Sequence, residues 1–508
     1  MSCLLFPVCI SALVCSTLFG SVQAKGKHKN AVIFLVDDGG FMQSAYNNTV
    51  CDTPNLDYLS SRAVTFTRGY TGVSSCSPSR AVLLSGLPSH QNGMYGIQHS
   101  VHHFQSFDGV RSLPNILSNH GIMTGLVGKY HVAPKSVYTF DYMKTSPIDQ
   151  VGRNITHMKH LIRKFLKKAK NADKPFLLYV AFFDTHRGGV NTWDRLGPFM
   201  NKWGSGAPGM GSIQDWQPKV YDPSKVIVPF FLPDTPAVRE DIAAMYTTFN
   251  RMDQGVGLFL KELFDAGHKD NTLVLFSADN GIPFPAAKTN LYEPGMGEPM
   301  LISSPDHTHN WGKKSSAPAS LMDFTPTVLD WFGVQYPQYK LNGQKVKLTG
   351  RSLLPLAANP YDTDYNHTYA SHQWHGITMA YPMRVLVNSR YRLIHNINWR
   401  APYPISTQIF PTSAFQGILN DTREGKPTGW YKTLHTYYYR DEWELYDLQT
   451  DPKELKNLAK DPNHKETFQN MQKKLQAWLV ETNDPWRCMP HSVLLQGECH
   501  LMDNEFMP

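Results

Sequence analysis

The chain has 508 residues, 41% of them hydrophobic and 18% charged. That excludes a peptide hormone, a disulfide knot and a wholly disordered chain, and it leaves room for one large α/β domain with a smaller partner. Lysine and arginine (49) exceed aspartate and glutamate (42) without any Lys/Arg-rich run, so nucleic acid is not the expected partner. No short-period repeat supports a solenoid or propeller. The 21 histidines would charge in an acidic compartment and suit an anionic substrate, although ordinary surface chemistry explains such a count equally well.

Residues 3–22 are apolar with small residues mixed in, and Val22-Gln23-Ala24 then leads into Lys25-Gly26-Lys27. This reads as a secretory signal, 1–24, cleaved after Ala24, with an uncleaved anchor as the competing reading. Cleavage leaves Cys51, Cys76, Cys488 and Cys499. The last two lie close together in a loop-like tail and are expected to pair. Cys51 and Cys76 remain open to a second disulfide or a buried free thiol. On the secretory route Asn47, Asn154, Asn366 and Asn420 are glycosylation acceptors and belong on the surface.

Ala31–Val36 is a continuous apolar run that reads as a buried parallel strand. Further strands are expected at 123–128, 176–182, 273–277 and 299–303. Helical spacing marks 236–266 and 320–331. Strands alternating with helices predict an α/β fold, a large mostly parallel sheet flanked by helices, whose ligands bind beyond the carboxyl ends of the strands. The texture changes near residue 360. Strand-like pieces at 383–387, 391–396 and 443–447 and a helix at 465–481 predict a smaller antiparallel α+β domain. The division is 25–365 for the larger domain and 366–508 for the smaller.

Polar residues follow four predicted strands: Asp37-Asp38, then Lys129 and His131, then Asp184 and His186, then Asp279-Asn280. Taken singly, such residues are usually helix caps, turn formers or satisfied core groups. Taken together they converge on one crevice. Asp37, Asp38, Asp279 and Asn280 are hard oxygen donors suited to Ca²⁺ or Mg²⁺ rather than zinc. In Ser74-Ser75-Cys76-Ser77-Pro78-Ser79-Arg80 a polar loop feeds a short apolar helix that ends near Gly86. Cys76 at that helix start is a candidate nucleophile and Arg80 a candidate oxyanion ligand.

Cys-x-Pro-x-Arg followed by an apolar run and a glycine, set between a Val-Asp-Asp strand end and an Asp-Asn-Gly strand end, resembles the type I sulfatases, which share the alkaline-phosphatase-like fold. The resemblance covers most of the mature chain. It extends through Asp37-Asp38-Gly39-Gly40-Phe41, His90-Gln91-Asn92-Gly93-Met94-Tyr95-Gly96, Val101-His102-His103-Phe104, Arg251–Gly257, Asp279–Pro285, Gly429-Trp430-Tyr431-Lys432 and Trp443–Asp447. Within the family these stretches are most similar to the branch that removes N-linked sulfate from terminal glucosamine residues of heparan sulfate, a glycosaminoglycan.

The resemblance implies a lysosomal glycoprotein, a homodimer, whose Cys76 is converted to Cα-formylglycine by the formylglycine-generating enzyme. One hydroxyl of the hydrated aldehyde attacks sulfur and the other helps to expel sulfate. Asp37, Asp38, Asp279 and Asn280 hold one Ca²⁺. Arg80 and Lys129 neutralise charge at the nucleophile. His131 accepts a proton, His186 gives one to the leaving nitrogen, and Lys288 binds a sulfate oxygen. Asp184 and His375 are weaker candidates for the sugar pocket, and His102 and His103 weaker still. Two departures stand out: Lys288 replaces an arginine of the close relatives, which removes a bidentate fork, and a cysteine pair of the relatives near 187–200 is missing. The alternatives are an O-sulfatase, a phosphate-ester hydrolase of the wider group (whose usual Thr or Ser nucleophile is not found here) and a non-catalytic glycan-binding relative.

Overall fold

The computed structural model describes residues 28–188 and 197–502. The signal segment and most of the 187–200 stretch lie outside the described residues. Nine strands form the main sheet: β1 (Asn30–Val36), β2 (Val64–Tyr70), β3 (Met123–Gly128), β4 (Tyr142–Lys144), β5 (Phe176–Ala181), β6 (Thr272–Ala278), β7 (Gly297–Ser303), β8 (Lys314–Ser315) and β9 (Ala319–Ser320). Their order is β4-β3-β5-β1-β6-β7-β2-β8, with β9 also paired to β2. β7 runs antiparallel to both of its neighbours, and the other pairings are parallel.

The central strand shows why its sequence is apolar throughout. Val32, Phe34 and Val36 face one hydrophobic layer, and Ala31, Ile33 and Leu35 face the other. A strand covered by helices on both faces has no solvent side and therefore no polar alternation. The helix Pro236–Asp265 packs on the first layer through Ile242, Met245, Tyr246, Phe249 and Met252. The helix Phe324–Phe332 packs on the second through Phe324 and Val328. The expected mostly parallel α/β sheet is thus present.

A second, antiparallel sheet follows, of β10 (His367–Trp374), β11 (Ala380–Asn388), β12 (Tyr391–Asn396) and β13 (Trp443–Asp447) in that order. The helix Lys465–Glu481 covers one face through Met471, Leu475 and Trp478. Cys488 and Cys499 are bonded, whereas Cys51 and Cys76 are separate buried thiols, so the second-disulfide alternative does not hold. Asn47, Asn366 and Asn420 are exposed. Asn154 is half-buried and caps the helix Ile155–Asn171 by accepting from the His157 amide. Among the described residues no helix is long and apolar enough to cross a membrane.

The two sheets meet over the helix Cys76–Ser85, all ten residues of which are buried. Its Ala81, Leu83 and Leu84 join the main-sheet core, while Val82 joins Leu386, Leu393 and Trp478 of the second. Beside this junction Arg384 pairs with Asp484. His90 Nε2 lies 2.8 Å from Thr482 Oγ1, and its Nδ1 lies 3.6 Å from Asp484.

Burial lowers His90 to about 4, despite the neighbouring Asp484 carboxylate. The imidazole is therefore neutral in the fold, while in the unfolded chain it protonates near 6.5. The unfolded state then binds more protons than the folded state between these values. The stability contributed by a neutral His90 is complete above about pH 6.5 and falls as pH drops towards 4, by about 1.4 kcal/mol per pH unit. Urea melts between pH 7 and 4.5 should show this loss, and His90→Gln should flatten the slope by about that amount.

Candidate active site

Asp37 and Asp38 directly follow β1, and Asp279 and Asn280 directly follow the adjacent β6, so parallel pairing of two neighbouring strands brings four oxygen donors together. The Asp38 amide donates to Asp279 Oδ1 at 3.0 Å. Asn280 Nδ2 donates to Asp38 Oδ1 at 2.8 Å. Asp38 holds a φ of +56°, in the left-handed region that L-residues rarely adopt, which turns the chain sharply as it leaves β1.

Three cations answer the three carboxylates. Lys129, just beyond β3, donates to Asp37 Oδ2 at 2.5 Å. Arg80, one turn into the Cys76 helix, donates through Nε to Asp279 Oδ2 at 2.9 Å, with Nη2 3.4 Å from Asp37 Oδ1. Its Nη1 donates to the Lys129 carbonyl at 3.1 Å and to Tyr179 Oη at 3.4 Å. Lys288 Nζ lies 2.8 and 2.9 Å from the two oxygens of Asp38, so the ammonium spans the carboxylate without an arginine fork. All six charged side chains are buried. A site of this kind persists only because each charge has a partner.

Cys76 Sγ lies 3.8 Å from Asp38 Oδ1. Its ligand atom falls within 4.8 Å of those of Asp38 and His186, and likewise of Asp37 and Asp279. Burial pushes the Cys76 thiol up to about 12 against the pull of Lys129 and Lys288. As a plain cysteine it is un-ionised at any physiological pH and a poor nucleophile. Burial by itself would raise Asp37, but Lys129, His186 and Arg80 outweigh it and hold that carboxyl well below the usual range. Asp279 goes the other way, raised by burial and by Asp37 beyond what Arg80 restores.

His186, beyond β5, places Nδ1 2.7 Å from the Arg187 carbonyl. A carbonyl only accepts, so Nδ1 carries the hydrogen and Nε2 is left facing Asp38 Oδ2 at 3.7 Å. Burial lowers His186 to about 3, opposed by Asp38. His131 lies beside Lys129 with a φ of +50°. Its two ring nitrogens are buried and find no hydrogen-bond partner among the described residues.

Ten of the expected residues therefore share one site: Asp37, Asp38, Cys76, Arg80, Lys129, His131, His186, Asp279, Asn280 and Lys288. Two sugar-pocket candidates are placed differently. Asp184 is buried between Arg153 and Arg251, which together bond to both of its carboxylate oxygens. Its backbone carbonyl accepts from the Asp37 amide at 3.1 Å, which makes it a brace of the β1 end. His375 is buried with Nδ1 2.8 Å from Ser75 Oγ, tying the end of β10 to the residue before Cys76. His102 Nδ1 accepts from the Ile377 amide at 3.1 Å. His103 is exposed.

The sequence reading missed several groups. Tyr179 was legible in principle, because on β5 it shares a face with Leu177 and Ala181. Thr185 donates through Oγ1 to the Asp38 carbonyl at 3.0 Å, a contact that no local pattern announces. Glu298 on β7 is wholly buried, and burial pushes its carboxyl well above the usual range. His99 stacks on His131 and stood in the sequence three residues before the noticed His102.

The sulfatase family model matches residues 29–334, more than half of the chain. The chain belongs to the sulfatase family. A second model, described as N-sulphoglucosamine sulphohydrolase, C-terminal, matches residues 421–481 of this sulfatase. A human protein named N-sulphoglucosamine sulphohydrolase is 51% identical over 499 residues, which cover 97% of this chain and 98% of the human one. The human N-acetylgalactosamine-6-sulfatase is 26% identical, over 64% of this chain and 65% of its own. A solved structure described in complex with its substrate D-glucosamine-2-N,6-O-disulfate superposes with a TM-score of 0.62 at 18% identity, covering 90% of this chain and 99% of the other. The phosphonate monoester hydrolase of Agrobacterium radiobacter superposes with a TM-score of 0.60 at 16% identity, covering 94% and 100%. At such identities the likeness is one of fold.

The charge pairing makes Arg80 the most sensitive structural residue of the sulfatase site. Arg80→Gln strands Asp279 beside Asp37 and should destabilise the protein by about 3–5 kcal/mol, whereas Tyr179→Phe should cost about 1 kcal/mol. Denaturant titration of the two variants tests this ranking.

Proposed function

We propose that this sulfatase hydrolyses the N-linked sulfate of terminal glucosamine residues of heparan sulfate oligosaccharides. The observation that carries the reading is the 51% identity to the human N-sulphoglucosamine sulphohydrolase, spread over nearly the full length of both chains. It therefore takes in the second domain as well as the catalytic residues common to sulfatases. The leading segment 1–24 supports entry into the secretory pathway, and we read the protein as a lysosomal homodimer.

Four oxygen donors, Asp37, Asp38, Asp279 and Asn280, fit a hard divalent cation. Among the described residues Asn280 Oδ1 is buried without a hydrogen-bond partner and Asp37 Oδ1 meets only the Arg80 guanidinium at 3.4 Å, while burial and Asp37 raise the Asp279 carboxyl. These residues would hold Ca²⁺, which when bound supplies a Lewis acid that polarises a sulfate oxygen. Formylglycine at position 76, made by the formylglycine-generating enzyme, would supply a hydrated aldehyde with one hydroxyl to attack sulfur and another to release sulfate. The high pKa of the unmodified thiol supports the need for that conversion.

The remaining chemistry belongs to the chain's own side chains. Arg80, Lys129 and Lys288 set positive charge around position 76, where anionic oxygens must be bound and excess charge stabilised. His186 is held with its hydrogen on Nδ1, so Nε2 is the atom left to exchange a proton with the leaving amine, and it donates one only after Asp38 and the bound anion have raised the ring enough for Nε2 to be protonated. His131, kept neutral mainly by burial and by Lys129, accepts a proton during release of sulfate. Burial of the cluster keeps water from screening these interactions.

The reading is tested first on the tryptic peptide Gly69–Arg80 from cells able to make formylglycine. Its mass should show sulfur lost and an aldehyde gained; an unmodified thiol would overturn the mechanism. The purified protein should hydrolyse glucosamine 2-N-sulfate at least about a hundredfold faster than glucosamine 6-O-sulfate. A reversed preference would make it an O-sulfatase. Chelation by EGTA should lower the melting temperature by several degrees, and added Ca²⁺ should restore it.

A further inference from the structure

The histidines around the site are not held alike. His186 is fixed by the Arg187 carbonyl, His375 by Ser75 and His90 by Thr482. His131 differs: both ring nitrogens are buried and bond to no described residue. Its ring contact is a near-parallel stack on His99, with centroids 4.9 Å apart and planes inclined by 21°. A ring that takes a proton needs at least one nitrogen free, and here no hydrogen bond to a described residue at the other nitrogen fixes the ring's orientation. Stacking orients such a ring while leaving both nitrogens available.

His99 is itself positioned from the second domain. The Ile97 amide donates to the His375 carbonyl at 2.9 Å, and the Trp374 amide donates to the Tyr95 carbonyl at 3.0 Å. Three residues beyond His99, His102 accepts from the Ile377 amide, with the two rings 6.0 Å apart. The 95–102 segment is thus laced to the end of β10 and the turn after it. From this chain of contacts we propose that His99 is a positioning residue for His131, transmitting the placement of the second domain's first strand to the proton acceptor.

The inference rests on the functional reading above, in which His131 takes a proton. His99 is exposed, so its replacement spares the core. His99→Ala should lower kcat about tenfold with KM changed less than about twofold, because the ring acts through another residue rather than on substrate. His99→Phe keeps a stacking ring without nitrogens and should restore kcat to within about threefold of the wild type. In crystals of His99→Ala the His131 ring should occupy more than one rotamer, and in His99→Phe one.

A single His131 rotamer in His99→Ala overturns the inference, as does an unchanged kcat. Equal loss in the Phe variant would assign the effect to the nitrogens of His99 and also overturn it, and a rise in KM alone would make His99 a substrate contact instead. The rotamer readout needs no turnover. A wild-type protein that fails on the N-sulfated sugar would refute the functional reading, while the two crystal structures would still decide what holds His131.

Discussion

Everything at the carboxyl ends of the main sheet depends on one balance of charge: Asp37, Asp38 and Asp279 against Lys129, Lys288 and Arg80, all out of contact with bulk water. None of these groups is tolerable there alone. The arrangement fixes the loops that follow β1, β3 and β6 relative to one another and to the Cys76 helix. It also explains why the site is preorganised, since charges that already hold each other need little movement to receive an anion. Among the described residues the pairing leaves Asn280 Oδ1 without a hydrogen bond and Asp37 Oδ1 with only a long contact to Arg80, and these are oxygens a divalent cation would engage.

Much of this was legible in the sequence because the fold writes its central strands as uninterrupted apolar runs and its site as the polar residues directly after them. Val36 to Asp37 and Ala278 to Asp279 are such transitions. β2 was not read, because Thr65, Thr67 and Arg68 break its apolar pattern while it pairs antiparallel to β7 and has Arg68 reaching the Ser389 carbonyl. β10 was missed for a related reason: His367-Thr-Tyr-Ala-Ser-His-Gln-Trp carries side chains whose burial rests on hydrogen bonds such as that of Ser89 Oγ to the Ser371 carbonyl. Asp184 shows what a local pattern cannot reveal. Its position after a strand marked it for the sugar pocket, but its two arginine partners, Arg153 and Arg251, lie 31 and 67 residues away, and no local pattern reveals such a meeting.

The second sheet contributes to the site through packing and hydrogen bonds. Val82 of the Cys76 helix packs among its apolar residues, His375 bonds to Ser75, and the β10 end carries the 95–102 segment. A functional branch of the family can therefore differ from its relatives in this domain and still alter how the common catalytic groups are held. The match of residues 421–481 to a model specific to one branch is consistent with that division of labour.

The depth of position 76 also sets an order of events during biosynthesis. Ser74 through Arg80 are all buried, and the helix they begin is covered on both sides by the two sheets. No second enzyme could grip that stretch of backbone in the finished molecule. A catalyst that converts the side chain at 76, as proposed above, would have to work before the chain folds, so the closing of the fold would be its deadline. A variant that folds sooner would leave a larger fraction of molecules with an inert thiol at their centre, perfectly folded and permanently inactive.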